Sequence, residues 1–111
     1  MPYLRLETNV EIEDPEGLAA RLSAFAAEAL GKSEAFVMVR IEPIAVMRFA
    51  GGDAPCAFLE LRSLGLSEEA ARALSERFTR FLADALNVPA DRIYIAFVSP
   101  PRAMWGWNGR T

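Results

Sequence analysis

The chain has 111 residues, a net charge of −3, and 52% hydrophobic against 24% charged residues. That balance suits one ordinary globular domain and gives no reason to expect nucleic acid or an anionic membrane as partner. No run approaches the roughly 18 apolar residues of a membrane span and the charged, proline-bearing start lacks a leader profile, so a cytoplasmic protein is expected. With no histidine, Ser-His-Asp and Cys-His catalysis and most zinc sites are excluded. Cys56 is the one cysteine, which rules out an intrachain disulfide or a Cys-x-x-Cys redox pair and reads as a small buried strand residue. Any catalysis falls to carboxylates, tyrosines, arginines, the terminal amine or Lys32, the only lysine among 12 basic residues.

Pro2 stands directly behind the initiator methionine and opens an alternating run to Thr8 that reads as a strand. If Met1 is removed, the chain begins with a secondary amine, and a terminal amine with an ordinary pKa of about 7.7–8 needs little lowering to act as a base at pH 7. The plain alternative is a stiff residue starting an edge strand. Asp14 followed by Pro15 is a helix start. Leu18, Leu22, Phe25, Ala26, Ala29 and Leu30 follow at helical spacing, and Gly31 ends the run as a left-handed cap. Lys32, next in line, has the bland reading of a cation at a helix C-terminus. A second strand is expected from Phe36 to Glu42, stopped by Pro43. A short segment, Val46 to Ala50, and a Gly51-Gly52-Asp53 turn complete the first half.

The second half repeats the plan. Ala57 to Ser63 alternates as a strand and Gly65 breaks it. Ser67 caps a helix whose first turn carries Glu68 and Glu69, favourable against the helix dipole, and whose apolar stripe runs Leu74, Phe78, Phe81, Leu82 and Ala85 toward Asn87 and Pro89. Arg92 to Ser99 is a strand stopped by Pro100-Pro101. Two β-α-β units with crossover helices predict an α+β domain over residues 1–111, with repeats of about 1–55 and 56–111, built as a four-stranded mixed sheet with both helices on one face. One strand face carries Arg5, Glu7, Arg40, Glu42, Glu60 and Arg62. The other carries Leu4, Leu6, Val37, Val39, Ile41, Leu59 and Leu61, which the helices should cover. The charged face is either solvated or turned inward between paired subunits.

Pro2, Gly31-Lys32, Pro55-Cys56-Ala57, Ser63-Leu64-Gly65, Asp91-Arg92-Ile93-Tyr94-Ile95 and Gly106-Trp107-Asn108 recur in order and spacing that resemble the macrophage migration inhibitory factor and D-dopachrome tautomerase family of the tautomerase superfamily, over essentially the whole chain. The resemblance implies a homotrimer with sites at subunit interfaces and keto–enol tautomerisation of arylpyruvates such as phenylpyruvate, without a cofactor. By the same resemblance Pro2 is the base, Lys32 holds the substrate carboxylate, and the Leu64 backbone N–H adds a hydrogen bond. Tyr94, from the neighbouring subunit, and Trp107 line the aromatic end. The chemistry is coherent on its own: a base takes the C3 proton of an α-keto acid while a fixed cation steadies the carboxylate and the developing enolate. Taken singly, Tyr94 and Trp107 read as core or interface aromatics.

Several positions depart from the family pattern. Ala96 stands where asparagine is common, and Phe36 where tyrosine is often found, so two polar contacts are missing from the substrate pocket. Such losses are worth roughly 1–3 kcal/mol of selectivity for hydroxylated rings. Trp105 replaces a small aliphatic residue and either narrows the pocket or extends its aromatic wall. Leu59 replaces the second cysteine of a Cys-x-x-Cys sequence, so thiol oxidoreductase activity is not expected. Relatives that hydrate, dehalogenate or decarboxylate carry extra arginines near the second strand–helix junction, and Leu64-Gly65-Leu66-Ser67 has none. The alternatives are a cytokine-like, partner-binding trimer with a vestigial pocket and a plain structural domain in which Pro2 and Lys32 are incidental.

Overall fold

The computed structural model describes residues 1–111 as four strands and two long helices: β1 Tyr3–Thr8, α1 Pro15–Leu30, β2 Met38–Pro43, β3 Ala57–Arg62, α2 Glu68–Leu86 and β4 Ile93–Val98. The sheet order is β2-β1-β3-β4. β1 runs parallel to β2 and β3 parallel to β4, while the two units meet through the antiparallel β1–β3 pair. This is the expected mixed sheet of two β-α-β units, because a crossover helix returns the chain to run parallel to its first strand.

Both helices lie on one face. Leu18, Leu22 and Ala26 of α1 and Leu74, Phe78, Leu82 and Leu86 of α2 join Leu4, Leu6, Leu59, Leu61 and Ile93 in one buried cluster. Fully burying each large side chain contributes about 1.5–3 kcal/mol, so this shared layer fixes which face of each strand turns inward. On the opposite face the charges pair with one another. Glu60 lies 3.1 Å from Arg62 and 3.7 Å from Arg5, and Arg40 lies 3.0 Å from Glu42. The Nε of Arg5 is buried without a partner. No helix is long and apolar enough to cross a membrane.

The helix ends follow their local chemistry. The Asp14 carboxylate accepts the Gly17 N–H at 3.0 Å, and Ser67 Oγ accepts the Ala70 N–H at 3.0 Å. At the other end of α1, Gly31 takes φ 65°. Its N–H donates to Glu28 O at 3.3 Å, and the N–H of Lys32 reaches back to Ala27 O at 2.9 Å. This pair of bonds reverses the chain where helical bonding ends, and glycine alone takes the left-handed geometry without steric cost. It also fixes the backbone of Lys32.

The second strand begins later than the sequence predicts. Ser33 Oγ accepts the Ala35 N–H, and the N–H groups of Phe36 and Val37 bond to Ser33 O and Glu34 O, each at 3.1 Å. Residues Glu34–Phe36 therefore form a 3-10 turn, and the ladder starts only when Met38 N donates to Pro2 O at 3.0 Å. Arg92, expected as the first residue of the last strand, likewise closes a 3-10 turn over Ala90–Arg92. The segment after Pro43 makes a tight turn in which Phe49 and Gly52 exchange two backbone hydrogen bonds. A second such hairpin joins Trp107 to Arg110.

Candidate active site

β1 and β2 meet at the N-terminal end of the sheet, and the site is built there. The Met38 bond holds the Pro2 carbonyl, so Pro2 is fixed at the first rung of the ladder and is fully buried. Its nitrogen is an amide in this structure, and the chain's free amine belongs to Met1. The 3-10 turn after Lys32 swings Phe36 over this end, where its ring meets Trp107 edge-on at 5.5 Å between centroids. Trp107 is held by its hairpin, with Trp107 N donating to Arg110 O at 2.8 Å and Arg110 N to Trp107 O at 3.1 Å. Asn108 and Gly109 supply the two left-handed residues, with φ 53° and 77°, which a two-residue turn of this kind requires.

These elements enclose an open, mainly apolar cleft of about 300 Å³ lined by Met1, Pro2, Phe36, Met38, Trp105 and Trp107. A smaller cleft of about 90 Å³ lies against it, sharing Met1, Trp105 and Trp107 and adding Leu64, Arg102 and Arg110. Lys32, just past the end of α1, lines a separate cleft of about 460 Å³ with Ser63, Leu64 and Gly65, and its Nζ donates at 3.4 Å to the carbonyl of Leu64, the residue that the smaller cleft shares. The Leu64 N–H has no partner among the backbone carbonyls, so it is free to donate. The Met1 amine is held below its ordinary pKa, first by burial and then by the positive charges of Lys32 and Arg102. Burial and like charge both disfavour the ammonium form, which leaves more of this amine in its free-base form near neutrality.

Of the residues singled out in the sequence, Pro2, Lys32, Leu64, Phe36, Trp105 and Trp107 come together at this end. Tyr94 and Ala96 do not. Tyr94 stands opposite Phe58 on β3, whereas the β1 residue next to Pro2 stands opposite Arg62. The two positions are separated by about 13 Å along the strands at about 3.3 Å per residue. The Tyr94 ring is 62% exposed and packs against Phe49 at 4.7 Å. Ala96 lies beside Glu60 on the open face of the sheet.

Three contributors escape the sequence reading. Met38 is 65% exposed and lines the larger cleft. Arg102 and Arg110 edge the smaller one. Asn108-Gly109 is the strongest short signal for a hairpin and marks the position of Arg110. Arg102 follows Pro100-Pro101 in a 3-10 turn, Arg102–Met104, and nothing in its local sequence points to the amine.

The sequence matches the family model for macrophage migration inhibitory factor over residues 1–111. It is 37% identical to the macrophage migration inhibitory factor of Meriones unguiculatus, across 100% of this chain and 98% of that protein. It is 32% identical to the homolog from Brugia malayi, across the same shares. The fold is similar to the crystal structure of the homologue from Prochlorococcus marinus, with a TM-score of 0.89 at 36% identity, covering 98% of this chain and 97% of that one. The Trichinella spiralis protein gives a TM-score of 0.91 at 32% identity, covering 98% of each chain.

Proposed function

The chain belongs to the macrophage migration inhibitory factor family, and from that premise we propose that it is a cofactor-independent keto–enol tautomerase of arylpyruvates such as phenylpyruvate. The family is one of tautomerase-like and cytokine-like proteins, so isomerase chemistry is its general expectation. One observation carries the specific reading: the chain's amine sits between an aromatic cleft and two cations, Lys32 and Arg102, that lower its pKa. Loss of Met1 would leave the secondary amine of Pro2 in the same surroundings. The amine takes the proton from C3 of the keto acid, and the electron pair moves through the C2–C3 bond onto the carbonyl oxygen. Return of a proton to that oxygen gives the enol, and the reverse sequence gives the ketone.

Lys32 holds the carboxylate and opposes the charge that spreads toward it in the enolate. The Leu64 N–H supplies a neutral donor beside it. Phe36, Trp105 and Trp107 form the wall for the aryl ring. Such fixed donors act strongly where water is excluded, because they need no reorganisation as charge develops. The assembly proposed is a homotrimer that turns the charge-paired sheet faces inward and brings Tyr94 and Ala96 of one subunit to the cleft of the next. Phe36 and Ala96 offer no hydroxyl or amide to a ring substituent, so phenylpyruvate should turn over faster than its hydroxyphenyl analogue.

Phenylpyruvate tautomerase assays on the wild type and Pro2→Gly, with intact-mass measurement, test the reading. The wild type should lack Met1, and Pro2→Gly should lose a factor on the order of 10²–10⁴ in kcat/KM, the range of a positioned general base. Full activity in Pro2→Gly, or activity in a protein that retains Met1, would sink the mechanism.

A further inference from the structure

The arginines of this chain divide by what they hold. Arg5, Arg40, Arg62, Arg77 and Arg80 each lie within ion-pair distance of a carboxylate. Arg48 and Arg92 donate to backbone carbonyls. Arg21 and Arg72 are unpaired but line clefts that contain glutamates. Arg102 and Arg110 differ from all of these. Neither makes an ion pair or a side-chain hydrogen bond, and the small cleft they edge has no Asp or Glu among its lining side chains.

That cleft, which Thr111 also lines, thus sets two arginine side chains together with no Asp or Glu side chain to pair with them, in a protein whose net charge is −3. Lys32, in the neighbouring cleft that also contains Leu64, is a further cation without a carboxylate partner, since its only side-chain bond is to Leu64 O. Both arginines are exposed, so their charges are solvated and available to an incoming anion, and guanidinium is shaped to hold a carboxylate through two parallel N–H bonds. At about 90 Å³ the cleft is the smaller of the two and has room for a small anionic head. The aryl group has its own place across Trp105 and Trp107, in the larger cleft.

We infer that Arg102 is a second carboxylate-holding residue of this site, acting with Lys32, and that the pair selects compact anionic heads on an aromatic tail. Arg110, fixed beside Trp107 by the Asn108-Gly109 hairpin, stands at the outer edge and draws such anions in. Arg102 is also one of the positive charges that lower the pKa of the Met1 amine, after burial and Lys32, so anion binding and the state of the amine both involve the same side chain. The location of the reacting carbon rests on the tautomerase reading above, whereas the binding of the anion does not.

The test is a titration without turnover. The chain has 2 tryptophans, both at the clefts, so their fluorescence reports on occupancy. The probes are 3-phenylpropanoate and its neutral counterpart 3-phenylpropanamide, titrated into wild type, Arg102→Gln and Arg102→Lys. Wild type should prefer the carboxylate. Arg102→Gln should weaken the carboxylate by about three- to tenfold, after allowing for solvent screening, and leave the amide unchanged. Arg102→Lys should recover part of the loss. Equal carboxylate affinity in wild type and Arg102→Gln, equal loss for both probes, or no carboxylate binding by wild type would each overturn the inference. An enzymatically inactive wild type whose carboxylate preference still falls in Arg102→Gln would refute the tautomerase and leave Arg102 in its role.

Discussion

The two ends of the sheet are built from the same pairs of strands yet reach different degrees of completion. At the Pro2 end a single protomer gathers an amine, Lys32, Leu64, Arg102 and three aromatic rings around one pair of clefts. At the Tyr94 end the aromatic ring is 62% exposed and touches only the hairpin residue Phe49 among aromatics, with Arg92 stacked on the other ring at 5.2 Å. The first end carries the groups to which the proposed acid–base chemistry is assigned. The second carries an aromatic ring that packs on Phe49 and leaves most of its surface exposed. In the proposed trimer, a site divided in this way would make base strength a property of one chain and substrate fit a property of the assembly.

The contrast can be broken most sharply at Lys32. Lys32→Gln removes a charge-assisted contact worth about 1.5–3 kcal/mol and should raise KM for phenylpyruvate by roughly ten- to a hundredfold. An unchanged KM would move the carboxylate elsewhere. The same variant reads out the base. A neutral Pro2 amine is the proposed active form, so kcat/KM should climb with pH and level off above its pKa, which the influences that lower the Met1 amine (burial, then Lys32 and Arg102) should lower too. Removing the Lys32 charge lets that pKa rise, and the acidic limb of the profile should shift to higher pH.

Next comes the far end of the sheet. Tyr94→Ala should lower kcat/KM by about two- to twelvefold, the worth of one aromatic contact. Activity per protomer should fall when sedimentation shows the assembly dissociating. Full activity in a monomer would erase the difference between the two ends. The smallest effect is expected from restoring polar groups. Phe36→Tyr and Ala96→Asn should each raise the preference for hydroxyphenylpyruvate over phenylpyruvate by about two- to tenfold, as one net hydrogen bond allows.

Most of the fold was legible because its signals are local. Asp14-Pro15, Gly31 and Ser67 act on amides or carbonyls within a few residues of themselves, and each does what its type predicts. Alternation along the strands named both faces correctly, since a period of two leaves one choice once the leucines are buried. The boundary at Phe36 was misread because an apolar run gives no sign that Ser33 will satisfy the neighbouring amides in a turn. That displacement has a consequence for the site: a ring expected along a strand lies instead across Trp107.

The sequence by itself determined the helices, their caps, the two-sided strands and the short set of groups able to do chemistry, because these follow from neighbours along the chain and from the absence of histidine. The tertiary structure alone decided that Arg102 stands beside the amine, that Arg110 joins it through the Asn108-Gly109 turn, and that Tyr94 lies far from Pro2 within one protomer. Those relations depend on strand register and on where crossover connections return the chain. Residues separated by most of its length meet there only after the shared leucine core has set the order β2-β1-β3-β4.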